Sequence, residues 1–179
     1  MEIVDKLKQK ILLYLTRKKN KFIGITYFYF AGEPHILRTN NSFGLTDDSE
    51  EFQKNIDFFG LEFEHYYYML CMERLSRGNK FVYLYHQKDL LCSGWISFED
   101  TFFVSEIDRI ISNKNKVLLY DFSTPTSFRN KGYYTELLSQ LVNLYSGNSI
   151  SIYALKNNIP SLKAIKKVGF RPTNYEIIK

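Results

Sequence analysis

Only two cysteines, Cys71 and Cys92, occur in 179 residues, too few and too far apart for a disulfide framework or for the paired spacing of a zinc site. Two reduced thiols and no metal are therefore expected. No apolar run approaches the roughly 20 residues that span a bilayer, and the N-terminal stretch lacks the apolar core of a secretory leader. A cytoplasmic protein without a membrane span is the expectation. Neither a repeat nor a linker interrupts the chain, so a single domain over 1–179 is expected, long enough to bury a sizeable core. Tryptophan is scarce as well: Trp95 stands alone against fourteen tyrosines and fifteen phenylalanines. That aromatic share can fill a core or line a groove for sugar rings and bases.

What the chain does carry is ordinary for a folded protein, with 45% apolar and 24% charged residues, which excludes large-scale disorder. The net charge of +5 suits an acidic or phosphorylated partner. Lys6, Lys8, Lys10, Arg17, Lys18, Lys19 and Lys21 crowd the N-terminal region, and the acidic run Asp47, Asp48, Glu50, Glu51 follows later. No nucleic-acid-binding module accompanies these lysines, so no nucleic-acid partner is expected.

Val4, Leu7, Ile11 and Tyr14 recur at helical spacing and predict an amphipathic first helix. Phe22 to Phe30 reads as a strand, and a polar stretch follows. Asp47-Asp48-Ser49 supplies N-cap chemistry for a helix bearing Phe52, Ile56 and Phe59, with Gly60 at its end. Phe63, Tyr66, Tyr67 and Leu70 predict the next helical stripe. Period-two strands follow at Phe81 to His86 and Leu90 to Phe98, with Gly94 marking a bulge. Phe102 to Ile107 and Val117 to Thr124 are further strands. A helix on Tyr134, Leu137, Leu138, Leu141, Val142 and Tyr145, stopped by Gly147, leads to a strand over Ser149 to Leu155. A short helix with Pro160 in its first turn and a closing strand from Phe170 complete the order. The strand-helix-strand unit from Val117 to Leu155 should be a parallel, right-handed crossover in a mixed α/β layout.

The segment Thr124-Pro125-Thr126-Ser127-Phe128-Arg129-Asn130-Lys131-Gly132-Tyr133-Tyr134-Thr135 lies where that buried strand turns into its helix. The unpaired N–H groups of a helix start, with the positive end of its dipole, can hold a diphosphate without a metal. Gly132 permits close backbone approach, and Arg129 and Lys131 add charge for phosphate oxygens. A capped helix start with solvated basic residues is the competing reading of the same segment.

Arg129-Asn130-Lys131-Gly132-Tyr133-Tyr134 is similar to the Arg/Gln-x-x-Gly-x-Gly/Ala signature of GNAT acetyltransferases. Asn158-Ile159-Pro160-Ser161, then Lys166-Lys167-Val168-Gly169-Phe170, resembles the same family's downstream Asn-x-x-Ala/Ser segment and its closing Gly-Phe. The resemblance covers roughly residues 117 to 170 and implies a GNAT-like mixed central sheet flanked by helices. It divides the chain into a variable acceptor-side half, 1–116, and an acyl-CoA-binding half, 117–179. The Thr before the loop and the Lys-Gly-x-Tyr run are similar to a bacterial branch associated with surface polysaccharides and nucleotide sugars. Two positions depart from the pattern: Tyr134 stands where a small residue is usual, and Ile165 where many members carry a Tyr that protonates the leaving thiolate.

The activity implied is transfer of an acetyl or other short acyl group from acyl-CoA to an amine. The acceptor expected is a small molecule, an amino sugar or nucleotide-linked amino sugar first and a protein or peptide amine second. A non-catalytic acyl-CoA-binding module is the alternative outside the enzymes, and the resemblance admits a homodimer. It maps pantetheine and carbonyl contacts onto Phe122, Ser123 and Thr124, phosphate contacts onto Arg129, Asn130, Lys131, Gly132, Tyr133, Tyr134 and Thr135, and further cofactor contacts onto Asn158 and Ser161. Such chemistry must deprotonate the amine, polarise the carbonyl and protonate the thiolate. Asp121 is the candidate base, with Glu106 and His86 as comparable carboxylate and imidazole candidates, and Tyr133 is the candidate replacement acid. His65, Tyr68 and Trp95 are the expected acceptor contacts, while Tyr66 and Tyr67 are expected in the core.

Overall fold

The computed structural model describes residues 24–33 and 40–178. The expected first helix, the N-terminal lysines and the start of the first strand lie outside the described residues. Ten strands and four helices follow in the order β1 (Ile25–Phe30), β2 (Ser42–Thr46), α1 (Ser49–Phe59), α2 (His65–Ser76), β3 (Lys80–His86), β4 (Asp89–Ser97), β5 (Thr101–Val104), β6 (Arg109–Ser112), β7 (Lys116–Ser123), α3 (Tyr133–Leu144), β8 (Ser149–Leu155), α4 (Ile159–Val168), β9 (Phe170–Thr173) and β10 (Ile177–Ile178).

Seven strands form one sheet in the order β2-β3-β4-β7-β8-β1-β9, and β10-β6-β5 form a small second sheet. Every pairing is antiparallel except β7 with β8, the two strands joined through α3. This is the mixed sheet with a parallel crossover that the sequence implies. Strand β1, two β-branched residues followed by four aromatic ones, pairs with β8 on one side and β9 on the other, tying the start of the described chain to its end.

Three layers result. On one face, Leu137, Leu138, Leu141 and Val142 of α3 and Ile165 and Val168 of α4 close over Val82, Leu84, Leu119 and Ile152. On the other, Phe52 and Ile56 of α1 and Cys71 and Leu75 of α2 pack on Phe81, Tyr83, Trp95 and Tyr120. The small sheet covers the rest of that second face through Val104 and Ile111 against Ile25, Tyr27 and Leu118. Each layer buries apolar side chains from both of its partners, which is what holds a three-layer α/β protein together.

The helix boundaries follow the caps. The Asp48 carboxylate accepts from Glu51 N–H at 2.7 Å, and Gly60 closes α1 at φ 60°. Asn158 accepts from Ser161 N–H at 3.3 Å at the start of α4, and Gly169 ends it at φ 112°. Four local expectations change. Residues 42–46, read as polar loop, form β2. The expected strand at Phe102 to Ile107 stops at Val104, and 109–112 returns beside it as β6. Helix α3 ends at the Tyr145 cap, before Gly147. The buried stripe of α2 runs through Tyr67, Cys71 and Leu75, with Tyr68 and Met72 beside it. Tyr66 is consequently 62% exposed instead of in the core.

Candidate functional site

The parallel register of β7 and β8 runs from Lys116↔Ser149 to Leu119↔Ile152 and goes no further. Beyond it the strands part, because β7 carries one residue too many for its other neighbour. Ser93 and Trp95 of β4 pair with Ser123 and Tyr120, so Asp121 and Phe122 both stand opposite Gly94. Asp121, at the bulge, takes a left-handed conformation with φ 51°. Regular alternation would put Asp121 on the α3/α4 face with Val117 and Leu119. The bulge sends its carboxylate to the α2 face instead and turns Phe122 toward α3. The expected irregularity at Gly94 is thus real, but the added residue is on β7. A Cβ at Gly94 would collide with the Phe122 ring, so glycine is what lets that ring lie across β4.

A cleft of about 660 Å³ opens where the strands part. Phe122, Ser123 and Thr124 form one wall, Arg129, Asn130 and Gly132 with the first turn of α3 the second, and Asn158, Ser161 and the start of α4 the third. Tyr133, Tyr134 and Thr135 all line it. Every residue assigned to the cofactor from sequence is therefore in the cleft lining except Lys131, whose ammonium lies over the Phe128 ring at 5.4 Å. Phe128, Pro160 and Ala164 also line it and were not anticipated. Phe128 lies in the Thr124 to Thr135 segment just before the first motif, Pro160 lies inside the second, and Ala164 follows Pro160 and Ser161 by one helical turn.

The loop into α3 is shaped by its backbone. After a single tight turn at Thr126–Phe128, Asn130 and Gly132 are both left-handed, at φ 63° and 86°. Turns of this kind can gather backbone N–H groups into an anion-binding concavity. Gly132 offers no side chain to cap α3, and the first bond of the helix runs from Glu136 N–H to Gly132 C=O at 3.0 Å. The Arg129 Nε donates to the Thr124 carbonyl at 3.1 Å, which clamps the loop shut behind the cleft. Thr124 donates its hydroxyl to Cys92 Sγ at 3.4 Å, and burial pushes the Cys92 thiol up to about 12.

Tyr134, at the usually small position, turns its ring inward against Phe122, centroids 5.3 Å apart, and leaves the loop backbone along the cleft. Burial raises its phenol far above the ordinary value. Ile165 is fully buried among α3/α4 core residues. Tyr133, at the mouth of α3, is half-buried and packs edge-on to Phe128.

The remaining candidates lie outside the cleft lining, on or near the opposite face. Asp121 Oδ2 accepts from Arg74 Nη1 at 2.7 Å. Arg74 in turn lies 5.1 Å from the centroids of both Trp95 and Tyr120. Trp95 is fully buried against Phe52 and Phe81. Tyr68 packs on the same aromatic cluster, while His65 is exposed at the first position of α2. His86 is exposed at the β3–β4 turn. Glu106, between β5 and β6, accepts from the Tyr153 hydroxyl of β8 at 3.4 Å. Two faces thus meet at the β7–β8 gap, one opening into the cleft between the two helix starts and one bearing carboxylates among aromatic rings.

No sequence-family model matches the chain, and no curated protein matches it. Solved structures do. An acetyltransferase of the GNAT family from Colwellia psychrerythraea superposes with a TM-score of 0.61 at 16% identity, over 87% of this chain and 54% of that one. A functionally unknown conserved protein from Staphylococcus epidermidis gives 0.58 at 8% identity, over 84% and 58%. AAC(6')-Iy in complex with the bisubstrate analogue CoA-S-monomethyl-acetylneamine gives 0.54 at 14% identity, over 79% and 97%. The chain spans little more than half the length of the first two. At these identities the likeness is one of fold, and the fold is that of the GNAT acetyltransferases.

Proposed function

We propose that this chain transfers an acetyl or other short acyl group from acyl-CoA to an amine, and that its acceptor is a small molecule, an amino sugar or nucleotide-linked amino sugar. The observation that carries the reading is the cleft at the parting of β7 and β8, which gathers two motifs lying apart in sequence around one uncapped helix start. The left-handed loop at Asn130 and Gly132 suits a diphosphate, and Phe122, Ser123 and Thr124, at and just past the end of β7, offer backbone groups to an amide-bearing arm. In this reading Lys131 supplies charge at the rim, and Tyr133, which lines the cleft, returns a proton to the departing sulfur. The acceptor approaches from the α2 face. A bound aminoglycoside–CoA analogue in the structurally similar AAC(6')-Iy supports a small amine acceptor.

A second reading, an acyl-CoA-binding module without turnover, is favoured by one observation: the position of the usual acid is filled by the buried Ile165. Calorimetric titration with acetyl-CoA, followed by thiol release in the presence of glucosamine and kanamycin, separates the two. Binding with a dissociation constant between about 1 µM and 1 mM is expected. Binding with no thiol release selects the module, and the absence of binding to folded protein removes both.

A further inference from the structure

Two carboxylates stand at the β7–β8 gap on the face away from the cleft, and they are held in opposite ways. Asp121 is ion-paired with Arg74 at 2.7 Å, so its charge is cancelled at close range. Glu106 is half-buried in the turn between β5 and β6, and its Oε2 accepts from Ser105 Oγ at 3.2 Å and from Tyr153 Oη at 3.4 Å. Among the described residues no cation pairs with it. Hydroxyl donors steady a carboxylate without cancelling its charge, so Glu106 still attracts an ammonium and can still accept a proton.

Tyr153 follows Ile152, the last residue of the parallel register, and therefore stands where the strands separate. Its ring rests against Phe102, centroids 6.2 Å apart. The charged and titratable groups facing its phenol are Glu106 from the β5–β6 turn, Asp121 and Tyr120 from β7, and Arg74 from α2. Burial first, then the two carboxylates, push that phenol well above its ordinary value. At neutral pH it keeps its proton, and can give one up only while receiving another.

Resting on the acyl-transfer reading above, we propose that Tyr153 and Glu106 form the proton relay that frees the acceptor amine. An ammonium N–H passes its proton to Tyr153 Oη as the Tyr153 proton moves to Glu106 Oε2. The amine nitrogen forms its bond to the thioester carbonyl carbon, and the carbon–sulfur bond breaks with its electron pair going to sulfur. The nitrogen sheds a second proton, and the sulfur gains one. Glu106 returns its proton to solvent, so an ammonium and a thioester become an amide, a thiol and one proton. Tyr153 is the catalytic residue here, and Asp121 is left to hold Arg74.

The test compares wild type with Tyr153→Phe and Glu106→Gln, using acetyl-CoA with ethanolamine, which is protonated at neutral pH, or methoxyamine, which is not. Both variants should bind acetyl-CoA as wild type does, because the relay lies outside the cleft. With ethanolamine at pH 7 each should lose about 100-fold or more in rate, the usual worth of a positioned base. Their rates should then climb with the fraction of free amine, a slope of one per pH unit, where wild type is nearly flat. With methoxyamine the loss should be slight. A readout independent of turnover is the Tyr153 resonance in isotope-labelled tyrosine, whose titration should move to lower pH in Glu106→Gln. Equal losses on the two amines, or an unmoved Tyr153 titration, overturn the relay while leaving acyl transfer intact. A wild type that fails to bind acetyl-CoA overturns the acyl-transfer reading and the relay together.

Discussion

Arg74 of α2 reaches Asp121 of β7 across 47 positions of sequence, Nη1 to Oδ2 at 2.7 Å, with its guanidinium 5.1 Å from the centroids of both the Trp95 and the Tyr120 ring. The partners are unequally wet: the Arg74 side chain is 16% exposed and that of Asp121 43%. Water can take over for Arg74 at the carboxylate but not for Asp121 at the guanidinium. Asp121→Ala should therefore destabilise more than Arg74→Met, and a double-mutant cycle in urea should give a coupling of about 1 kcal/mol, held down by solvent screening. The reverse order of the single variants would contradict this account of the pair.

Gly94→Ala tests the crossing of Phe122 over β4. The added methyl meets the ring at its base as well as its edge, so the ring must move and carry Tyr134 with it. A loss of about 1–3 kcal/mol in thermal or urea unfolding is expected, as for overpacking elsewhere. Weaker acetyl-CoA binding should accompany it. Unchanged stability would mean that the Phe122 ring is free to lie elsewhere.

Gly132→Val separates folding from binding. Among the described residues nothing lies within 4 Å of a Cβ placed there, so the cost to folding is the left-handed backbone, about 1–2 kcal/mol. Acetyl-CoA affinity should fall by more than about tenfold, beyond 1.4 kcal/mol, because the first amides of α3 are displaced. Calorimetry showing unchanged affinity in the folded variant would put the diphosphate somewhere else.

How much of this could be read from the sequence depends on how far each signal travels along the chain. The cleft was legible because Thr124 to Thr135 and Asn158 to Ser161 are local segments, each with its own turn and cap chemistry. The opposite face was not. Nothing beside Asp121 announces a left-handed residue inside a strand, since no glycine or asparagine marks the place. Arg74 and Asp121 come together only through sheet order, as do Glu106 and Tyr153. The same limit explains α2: a stripe displaced by one residue keeps its helical spacing, and packing on the aromatic cluster of the sheet decides that Tyr68 turns in and Tyr66 out. The short strands β2 and β6 lack the length that makes alternation recognisable.

Alkaline pH should erode stability in a defined window. Burial raises Cys71 from 9.0 to about 11, Cys92 from 9.0 to about 12 and Tyr67 from 10.0 to about 12. An acid whose folded value lies above its unfolded one keeps its proton longer in the native state, so the unfolded chain binds fewer protons as pH rises. The contribution is complete below pH 9 and is lost on climbing toward pH 12. Urea midpoints measured across that range should be level at the lower end and fall steadily above it. A midpoint independent of pH up to 11 would refute the burial of these groups.

A β-strand has a grammar of parity. In β7 the odd positions serve the α3/α4 side as far as Leu119, and from Phe122 the even ones do, with the inserted residue at Asp121 as the point of slippage. One strand can thereby address two ligands arriving from opposite directions. The cost is intolerance to insertion and deletion: losing a single residue between Tyr120 and Ser123 would exchange what each side meets, while substitutions at the same places leave the reading frame of the strand intact.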